Sequence, residues 1–256
     1  MVSVVVTRES DALAVVAVTH SPGKALDRLL DSVKAATYRP VRVLLADLGS
    51  TDGAPERAVQ RDGVDLLRLG EAVARAAAVN RAVAELGESA GWIAIADPGV
   101  EWGEGAIDTL LDAAARRPRA GALGPTHRLP DGAVRPSAWE LPSVVDVVRR
   151  RAPVPAARAE GPVGWLSTSC LLLHRAAWES VDGLDARHPE PFDGVDLGDR
   201  LARAGWLCVS VPSAIVTVPA ESAGTPTGGD RYVTSRLHGP ARAAARVALS
   251  ATRRRP

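Results

Sequence analysis

Runs of consecutive apolar residues alternate, over the first half of the chain, with segments in which apolar residues recur every three or four positions. The continuous runs are typical of strands that are buried on both faces of a parallel sheet. They lie at residues 14–18, 41–46, 64–69, 92–96 and 120–123. The periodic segments predict amphipathic helices at residues 24–36, 72–86 and 107–114. This repeated order predicts an α/β fold, in which a mostly parallel sheet is flanked by helices on both faces.

The second half of the chain has shorter and less regular elements. Asp131-Gly132 predicts a hairpin turn. Residues 149–162 carry Arg, Pro and Ala without periodicity, and we interpret them as a mobile loop. The remaining predicted elements are a strand at 165–174, helices at 176–181 and 195–204, and strands at 207–211 and 215–218. Together the elements predict a single domain over residues 1–230, followed by a basic tail over 231–256.

Composition and charge exclude several classes of function. A net charge of +1 does not suit a nucleic-acid-binding protein. The two cysteines, Cys170 and Cys208, cannot form a disulfide framework and are interpreted as buried thiols. Neither GxxxxGK[ST] nor a GxGxxG after the first strand is present, which excludes a P-loop protein and a dinucleotide oxidoreductase. The apolar run at residues 13–18 is too short to span a bilayer and no signal peptide is recognisable, so a cytoplasmic location is expected.

Polar residues stand at the ends of three predicted strands: Thr19, Asp47 and Asp97. In an open α/β sheet, ligands bind beyond the carboxyl ends of the strands. These residues therefore predict a nucleotide site at this edge. The alternative is that both aspartates only stabilise turns, as Asp often does.

The motifs of the chain resemble those of family 2 glycosyltransferases. The segments AVVAVTHSPG, VLLADLGSTDG, NRAVAELG and WIAIADPGVEWGEGAIDTLL resemble the N-terminal half of that family. The segments GWLSTSCLLLHRAAWESVDGLD, VDLGDRLARAGW and VPSAIV resemble the C-terminal half, in the same order. The strongest likeness is to actinobacterial rhamnosyltransferases, which move rhamnose from a dTDP carrier to a lipid-linked N-acetylglucosamine in cell-wall linker assembly.

The resemblance implies a GT-A fold, an inverting transfer from a dTDP- or UDP-linked sugar to a lipid-linked glycan, and a divalent metal, Mg²⁺ or Mn²⁺, on the diphosphate. By position, it assigns nucleotide binding to Thr19, Asp47, Asp52, Asn80 and Asp97. Asp97 is also the candidate metal ligand. The catalytic segment contains Asp193 and Asp196, and the residues assigned to the acceptor are Trp165, Ser167 and Thr168.

Several positions depart from the family pattern. Gly99 stands where the family has its metal-ligating Asp, and Gly194 stands where it has the carboxylate that acts as base. Asp97 is two residues from the ligand position, roughly 7 Å along an extended chain, whereas Mg²⁺ binds oxygen at about 2.1 Å. Asp193 is the candidate substitute base, and Asp196 is expected to have a structural role at the start of a helix. Leu48 replaces an Asn, the segment AVARAAA replaces a glycine-rich loop, and no histidine occurs near Val218.

These departures together are interpreted as impaired or lost metal-dependent catalysis, as in a pseudoenzyme. Three alternatives remain at this stage. The chain is an active transferase in which Asp97, Asp193 or Glu101 has taken over the lost roles, a nucleotide-binding regulator without catalysis, or a scaffold in cell-envelope polysaccharide synthesis.

From Arg231 onward the sequence has seven arginines and no carboxylate. Such a segment predicts either a basic amphipathic helix on the anionic inner face of the plasma membrane or a solvated tail.

Overall fold

The computed structural model describes residues 12–141, 154–156, 159–188, 190 and 192–220. Its helices are α1 Lys24–Ala36, α2 Ala54–Ala58, α3 Arg75–Glu85, α4 Ala106–Ala115, α5 Arg175–Ser180 and α6 Phe192–Arg203, with a 3₁₀ turn at Gly87–Ser89. The strands of the first half are β1 Leu13–Thr19, β2 Val41–Asp47, β3 Val64–Arg68, β4 Trp92–Ala96, β5 Glu101–Trp102 and β6 Ala120–Arg128. Those of the second half are β7 Val134–Arg135, β8 Ala138–Trp139, β9 Gly161–Val163, β10 Trp165–Leu166, β11 Cys170–His174 and β12 Leu207–Thr217.

Ten strands form one mixed sheet, in the order β3-β2-β1-β4-β11-β6-β12-β5, with β7 beside β6 and β9 beside β12. The first four strands in this order are parallel, so their carboxyl ends share one edge. β11 runs antiparallel between β4 and β6, whereas β6 and β12 are parallel to each other. The predicted α/β class, a mostly parallel sheet flanked by helices, is confirmed.

Both faces of the sheet are covered by apolar side chains of the helices. Leu13, Val15 and Ala17 of β1 pack with residues of α1, α2 and α4 on one face. Ala14 and Val16 of the same strand pack with residues of α3, α5 and α6 on the other face. Because successive side chains of a strand point to opposite faces, a strand between two helix layers must be apolar throughout. This is why the continuous runs predicted the central strands.

The N-terminal predictions agree with the structure most closely. Helix α1 has the predicted bounds, and its apolar positions Leu26, Leu29, Leu30 and Val33 are all buried. The hairpin at Asp131-Gly132 is confirmed between β6 and β7, where the Gly132 N–H donates to the Leu129 carbonyl at 2.9 Å. Both cysteines are buried free thiols in strands, as expected.

Three predictions in the second half are wrong. The predicted strand at 165–174 is divided by a polar turn into β10, which pairs with β8 in a separate small sheet, and β11 of the main sheet. The predicted loop at 149–162 contains the start of β9, which pairs with β12. The two predicted strands at 207–211 and 215–218 form the single strand β12, whose pairing with β6 is interrupted between Val211 and Ile215. Strands of two or three residues have too few positions to display a period, and their pairing partners are distant in sequence.

The predicted basic tail at 231–256 lies outside the described residues, as does much of the predicted 149–162 loop. Within the part of the chain that the structure describes, no helix has the length and apolar character needed to cross a membrane.

His127 of β6 is 2% exposed, and its Nε2 has no hydrogen-bond partner. Burial lowers the pKa of His127 to about 4, although a hydrogen bond with the backbone of Cys170 opposes the shift. The folded-state pKa is below the ordinary value of 6.5, so the unfolded chain binds the proton more readily. We expect the unfolding free energy to fall by up to roughly 3 kcal/mol as the pH drops from about 6.5 to 4.

Urea unfolding at several pH values tests this expectation. His127→Gln should remove most of this acid-dependent loss, and the exposed-site variant His20→Gln should retain it. An unchanged slope in His127→Gln would contradict the assignment.

Candidate functional site

The carboxyl ends of β1 and β2 are joined by buried polar groups. Thr19 pairs with Asp47 in the parallel register, and its hydroxyl donates to Oδ1 of Asp47 at 2.8 Å. The backbone N–H of Ser50 donates to Oδ2 of Asp47 at 3.1 Å, and the Ser50 hydroxyl also donates to this carboxylate. Thr19 is 0% exposed and Asp47 is 1% exposed. The two residues therefore connect the carboxyl ends of β1 and β2 from within the protein, and they present little surface to a ligand.

The loops that follow β1 and β2 are also joined to each other. The N–H of Ser21 donates to the Ser50 hydroxyl at 2.8 Å, and the N–H of Thr51 donates to the Ser21 hydroxyl at 3.1 Å. Asp52 accepts from the N–H of Gly23 at 2.6 Å and from that of Ala54 at 3.0 Å. The hydrogen bond from the Ala54 backbone lowers the pKa of Asp52 most strongly, so this carboxylate is ionised. Thr19, Asp47 and Asp52 thus lie together, as the sequence predicted.

Asn80 lies elsewhere. Its side chain donates to the carbonyl of Leu184 at 2.7 Å and accepts from the N–H of Leu184 at 2.9 Å. Both functions of the amide are used by the loop between α5 and α6. Asn80 lines a cavity of about 750 Å³ between α3, α5 and that loop. The structure does not place it with Thr19 and Asp47.

Arg75, the first residue of α3, lies among three carboxylates. Its Nε and Nη2 donate to Oδ1 of Asp97 at 3.1 and 2.8 Å, and Nη2 also donates to the Thr168 carbonyl at 2.8 Å. Its Nη1 lies 3.5 Å from Oδ2 of Asp193, and its Nε lies 4.0 Å from Oε2 of Glu190. One guanidinium therefore connects the end of β4, the loop between β10 and β11, and the start of α6.

The ionisation of these groups is strongly interdependent. Burial opposes the charge of Arg75, but the three carboxylates outweigh burial and raise the pKa of the guanidinium. Burial raises the pKa of Glu190 to about 7, opposed by Arg75 and assisted by Asp97 and Asp193. Burial also raises the pKa of Asp193, opposed by Arg75 and by the hydrogen bond from Thr168. Arg75 therefore remains charged, whereas burial shifts Glu190 and Asp193 towards their protonated forms.

The polar turn between β10 and β11 supports this cluster. The Thr168 hydroxyl donates to Asp193, at 3.1 Å from Oδ1 and 3.0 Å from Oδ2, and the Ser169 carbonyl accepts from the N–H of Asp97 at 2.8 Å. The hydroxyls of Ser167 and Ser169 are 2.8 Å apart. Thr168, at 1% exposure, therefore positions the Asp193 carboxylate at the start of α6, and Ser167 lies in the same turn.

Trp165 is buried beneath the same turn. Its ring is 1% exposed and stacks on Trp139, with the centroids 4.0 Å apart. A sugar would reach this ring only after Trp139 had moved away. In this structure Trp165 packs between Trp139 and Val195 at the base of α6.

The two glycines that depart from the family pattern are both covered by other residues. A Cβ on Gly99 would collide with the ring of Pro219, which follows Val218. A Cβ on Gly194 would lie 2.5 Å from the Leu166 carbonyl oxygen. The space for a side chain at either position is therefore closed, so the departures are built into the packing.

The residues around Arg75 do not fit a divalent metal at the position that the resemblance implies. Gly99 has no side-chain ligand atom, and Oδ1 of Asp97 already accepts two N–H groups from Arg75. A guanidinium and a divalent ion about 4 Å apart would repel by on the order of 8 kcal/mol at an effective dielectric constant of about 20. The acidic oxygens therefore surround a cation that the chain itself supplies.

Among the described residues, only one group of three His, Cys, Asp or Glu side chains has its ligand atoms within 4.8 Å of one another: Asp185, His188 and Asp196. Both carboxylates of this group already have arginine partners. Asp185 binds Arg187, whose hydrogen bond lowers the pKa of Asp185 to about 2, and Asp196 binds Arg200 at 2.7 Å. The Asp196–Arg200 pair lies within α6, and Arg200 in turn donates to the carbonyls of Val181 and Gly183 in the preceding loop, whereas Asp193 faces Arg75.

Restoring a carboxylate by Gly194→Asp is expected to lower stability without raising the rate of any sugar transfer. The new side chain must displace the Leu166 backbone, and overpacking of this kind costs about 1–3 kcal/mol. Urea unfolding and a transfer assay measure the two effects. Gly161→Asp is the matched control, because no atom lies within 4 Å of a Cβ built there. A more active Gly194→Asp variant of normal stability would contradict the packing argument.

Two residues of the cluster were missed from the sequence: Arg75 and Glu190. Arg75 lies inside the segment AVARAAA, where it is the only charged residue. That isolated charge was the signal that could have identified it. Arg75 was missed because the predicted helix started at Ala72, which placed this residue within the first turn rather than at the first position of α3. Glu190 stands in a short irregular segment with no period to draw attention to it.

Comparisons with known proteins identify the family of the chain. The family described as "Glycosyltransferase like family 2" matches residues 10–235. Two N-acetylglucosaminyl-diphospho-decaprenol L-rhamnosyltransferases of Mycobacterium tuberculosis, from strains CDC 1551 / Oshkosh and ATCC 25618 / H37Rv, are each 50% identical to the chain. Each alignment covers 81% of this chain and 76% of the relative.

Among solved structures, the crystal structure of GalNAc-T7 with UDP, GalNAc and Mn²⁺ is similar, with a TM-score of 0.65 and 12% identity. The similarity covers 96% of this chain and 51% of that chain, so this chain spans about half of the solved one. At such low identity the likeness concerns the fold alone.

Proposed function

Because the chain belongs to the glycosyltransferase-like family 2, as its motifs predicted, we propose that it transfers L-rhamnose from a nucleotide diphosphate carrier to a lipid-linked N-acetylglucosamine. The observation that carries this proposal is the 50% identity with two transferases whose name specifies that sugar and a decaprenol-linked acceptor. The same identity favours catalysis over the non-catalytic alternatives, a nucleotide-binding regulator or a scaffold.

We assign the nucleotide of the donor, dTDP or UDP, to the edge where β1 and β2 end. Buried Thr19 and Asp47 hold the two loops in place, and Asp52 fixes them from the outside. A preorganised loop binds a ligand with a smaller loss of conformational entropy. The exposed polar groups of Ser21 and Thr51 are the hydrogen-bonding groups that this edge offers to a nucleotide.

We assign the general base to Asp193, which is 1% exposed in this structure, so that an acceptor hydroxyl reaches its carboxylate only after the residues that cover it have moved aside. Its carboxylate is fixed by the Thr168 hydroxyl and by the N–H of Gly194, at 2.8 Å, and its Oδ2 faces Arg75. In an inverting transfer, the acceptor hydroxyl oxygen forms a bond to the anomeric carbon while the bond to the diphosphate breaks. The hydroxyl proton passes to Asp193, and the diphosphate leaves with the electron pair. Ser167 and Trp165 belong to the supporting layer on the acceptor side.

A transfer assay tests the proposed function. The full chain is incubated with dTDP-rhamnose and a decaprenyl-diphosphate-linked N-acetylglucosamine, and the lipid fraction is analysed by mass spectrometry. A lipid product that has gained one rhamnosyl unit is expected. Reactions without acceptor, and with UDP- or GDP-linked sugars, are the controls. Absence of any glycosylated lipid with all three donors would contradict the proposal.

We also propose that the basic tail, residues 231–256, brings the chain to an anionic membrane surface where a lipid-linked acceptor would lie. Each arginine near such a surface contributes about 1 kcal/mol. Truncation after residue 230 should therefore reduce co-sedimentation with phosphatidylglycerol-containing vesicles by at least about fivefold, with little change for neutral vesicles. A full-length variant with glutamine at positions 253–255 should give an intermediate value. Equal sedimentation of the full-length and truncated chains would contradict the membrane role.

A further inference from the structure

Arg75 occupies an electrostatically unfavourable position for an arginine. It is the first residue of α3, where the helix dipole repels a positive charge and favours a negative one. The first turn of α3 contains no acidic residue that would offset this repulsion. The side chain is nevertheless held by Asp97, by Asp193 and by the Thr168 carbonyl. Its position is therefore determined by the acidic cluster rather than by helix propensity.

The same region has no side-chain ligand at the metal position that the resemblance implies. Position 99 has no carboxylate, and Pro219 fills the space beside it. The remaining carboxylates are those of Asp97, Glu190 and Asp193, and all three lie within 4.0 Å of the Arg75 guanidinium. The position without a carboxylate, Gly99, and the Arg75 guanidinium therefore both lie close to Asp97.

We propose that the Arg75 guanidinium is the resident cation of the donor site and receives the diphosphate of the nucleotide sugar in place of a divalent metal. This inference rests on the proposed function, because it names the group that meets the donor of that reaction. Arginine binds phosphate oxygens through a rigid fork of N–H groups, and its charge does not depend on pH.

The guanidinium has hydrogen-bonding capacity left for a phosphate. Its Nε and Nη2 are fixed by Asp97 and Thr168 at 2.8–3.1 Å. The contact between Nη1 and Asp193 is long, at 3.5 Å. Nη1 can therefore donate to an incoming phosphate oxygen while Asp97 and Thr168 keep the planar guanidinium in place. A fixed positive charge at this point also stabilises the negative charge that develops on the departing diphosphate.

Two binding measurements on the full chain test the inference. Titration of the protein alone with Mn²⁺, followed by electron paramagnetic resonance, should reveal no ion whose binding is abolished by Asp97→Asn. The variant His188→Ala identifies any ion bound at the Asp185, His188 and Asp196 group. Calorimetry with dTDP should give an affinity that changes by less than about twofold between Mn²⁺ and EDTA, whereas coupled ligands typically change affinity by about 5–150-fold.

Variants at position 75 supply the second part of the test. Arg75→Ala should weaken dTDP binding by at least about tenfold, and Mn²⁺ should partly restore it because the carboxylates are released. Arg75→Lys keeps the charge without the fork and should give an intermediate affinity. Arg81→Ala, at an exposed position of the same helix, is the matched control.

The outcomes separate the inference from the function. Mn²⁺ bound through Asp97 in the wild-type protein, or dTDP affinity raised more than about fivefold by Mn²⁺, overturns the role of Arg75 and leaves transferase function standing. Unchanged dTDP affinity in Arg75→Ala overturns it as well. Absence of nucleotide binding under all conditions contradicts the proposed function, and the Mn²⁺ titration of the protein alone then decides whether the site is metal-free.

Discussion

Asp193→Asn is expected to lower the rate of sugar transfer by about 10²–10⁴-fold, the usual cost of removing a general base. The amide has nearly the shape of the carboxylate and can still accept from the Thr168 hydroxyl, so the fold should be retained. It cannot take a proton from the acceptor hydroxyl. Because the amide no longer opposes a phosphate beside Nη1 of Arg75, dTDP should bind at least as tightly as to the wild-type chain. Single-turnover transfer and calorimetric binding on the same preparation measure the two quantities.

Two comparison variants make this result specific. Asp112→Asn, at an exposed position of α4, should leave transfer unchanged. Glu190→Gln removes the neighbouring carboxylate, whose pKa is raised to about 7. If Glu190→Gln lowered the transfer rate more than Asp193→Asn does, the general base would be Glu190. Full activity in Asp193→Asn would contradict the proposed mechanism.

Asp47→Ala is expected to lower both stability and nucleotide affinity. It removes the acceptor of the Thr19 hydroxyl, the Ser50 hydroxyl and the Ser50 N–H at a point that is 1% exposed. Each buried donor left without a partner costs about 1–3 kcal/mol, so a total loss of roughly 4 kcal/mol in unfolding free energy is expected. The released loops should also bind dTDP at least about tenfold more weakly, because their order is no longer fixed before binding.

Urea unfolding and calorimetry test this expectation, with Asp65→Ala as the control. Asp65 lies on the adjacent strand β3 and forms an exposed ion pair with Arg42, a type of contact that contributes about 0–1 kcal/mol. If both variants lost similar amounts of unfolding free energy and dTDP affinity, the polar network at the strand ends would contribute no more than an exposed ion pair.

The contrast between Thr19 and Asn80 shows when the position of a residue in a motif predicts which residues it contacts. Both were assigned to the nucleotide pocket by resemblance. Thr19 lies with Asp47 because adjacent parallel strands align their carboxyl ends, which follows from the strand order. Asn80 binds Leu184, which is 104 residues away and lies in a loop that no local pattern describes. Position in a motif therefore predicted proximity only where regular secondary structure determined the geometry.

At the expected metal site, the motif positions indicated which side chains are absent but not which side chains lie there instead. The sequence motifs led us to interpret Gly99 and Gly194 as replacing carboxylates of the family, and to expect impaired catalysis. The structure adds that the neighbouring space is filled by Pro219 and by the Leu166 backbone, and that Arg75 lies among the remaining acids. In this chain the substituted motifs therefore occur together with a charged cluster centred on Arg75. A site that had only lost its metal-binding and catalytic carboxylates would not contain such a cluster.

By itself, the sequence determined the family, the α/β class, the four parallel strands with their helices, and the strand edge that carries polar residues. These features follow from periodicity and from the order of elements, both of which are local properties. Only the tertiary structure decided the composition of the charged cluster. Arg75 meets Asp97, Thr168 and Asp193 across sequence separations of 22, 93 and 118 residues. Contacts over such distances depend on how the sheet and its loops close together, because no local pattern specifies the partner of a buried charge.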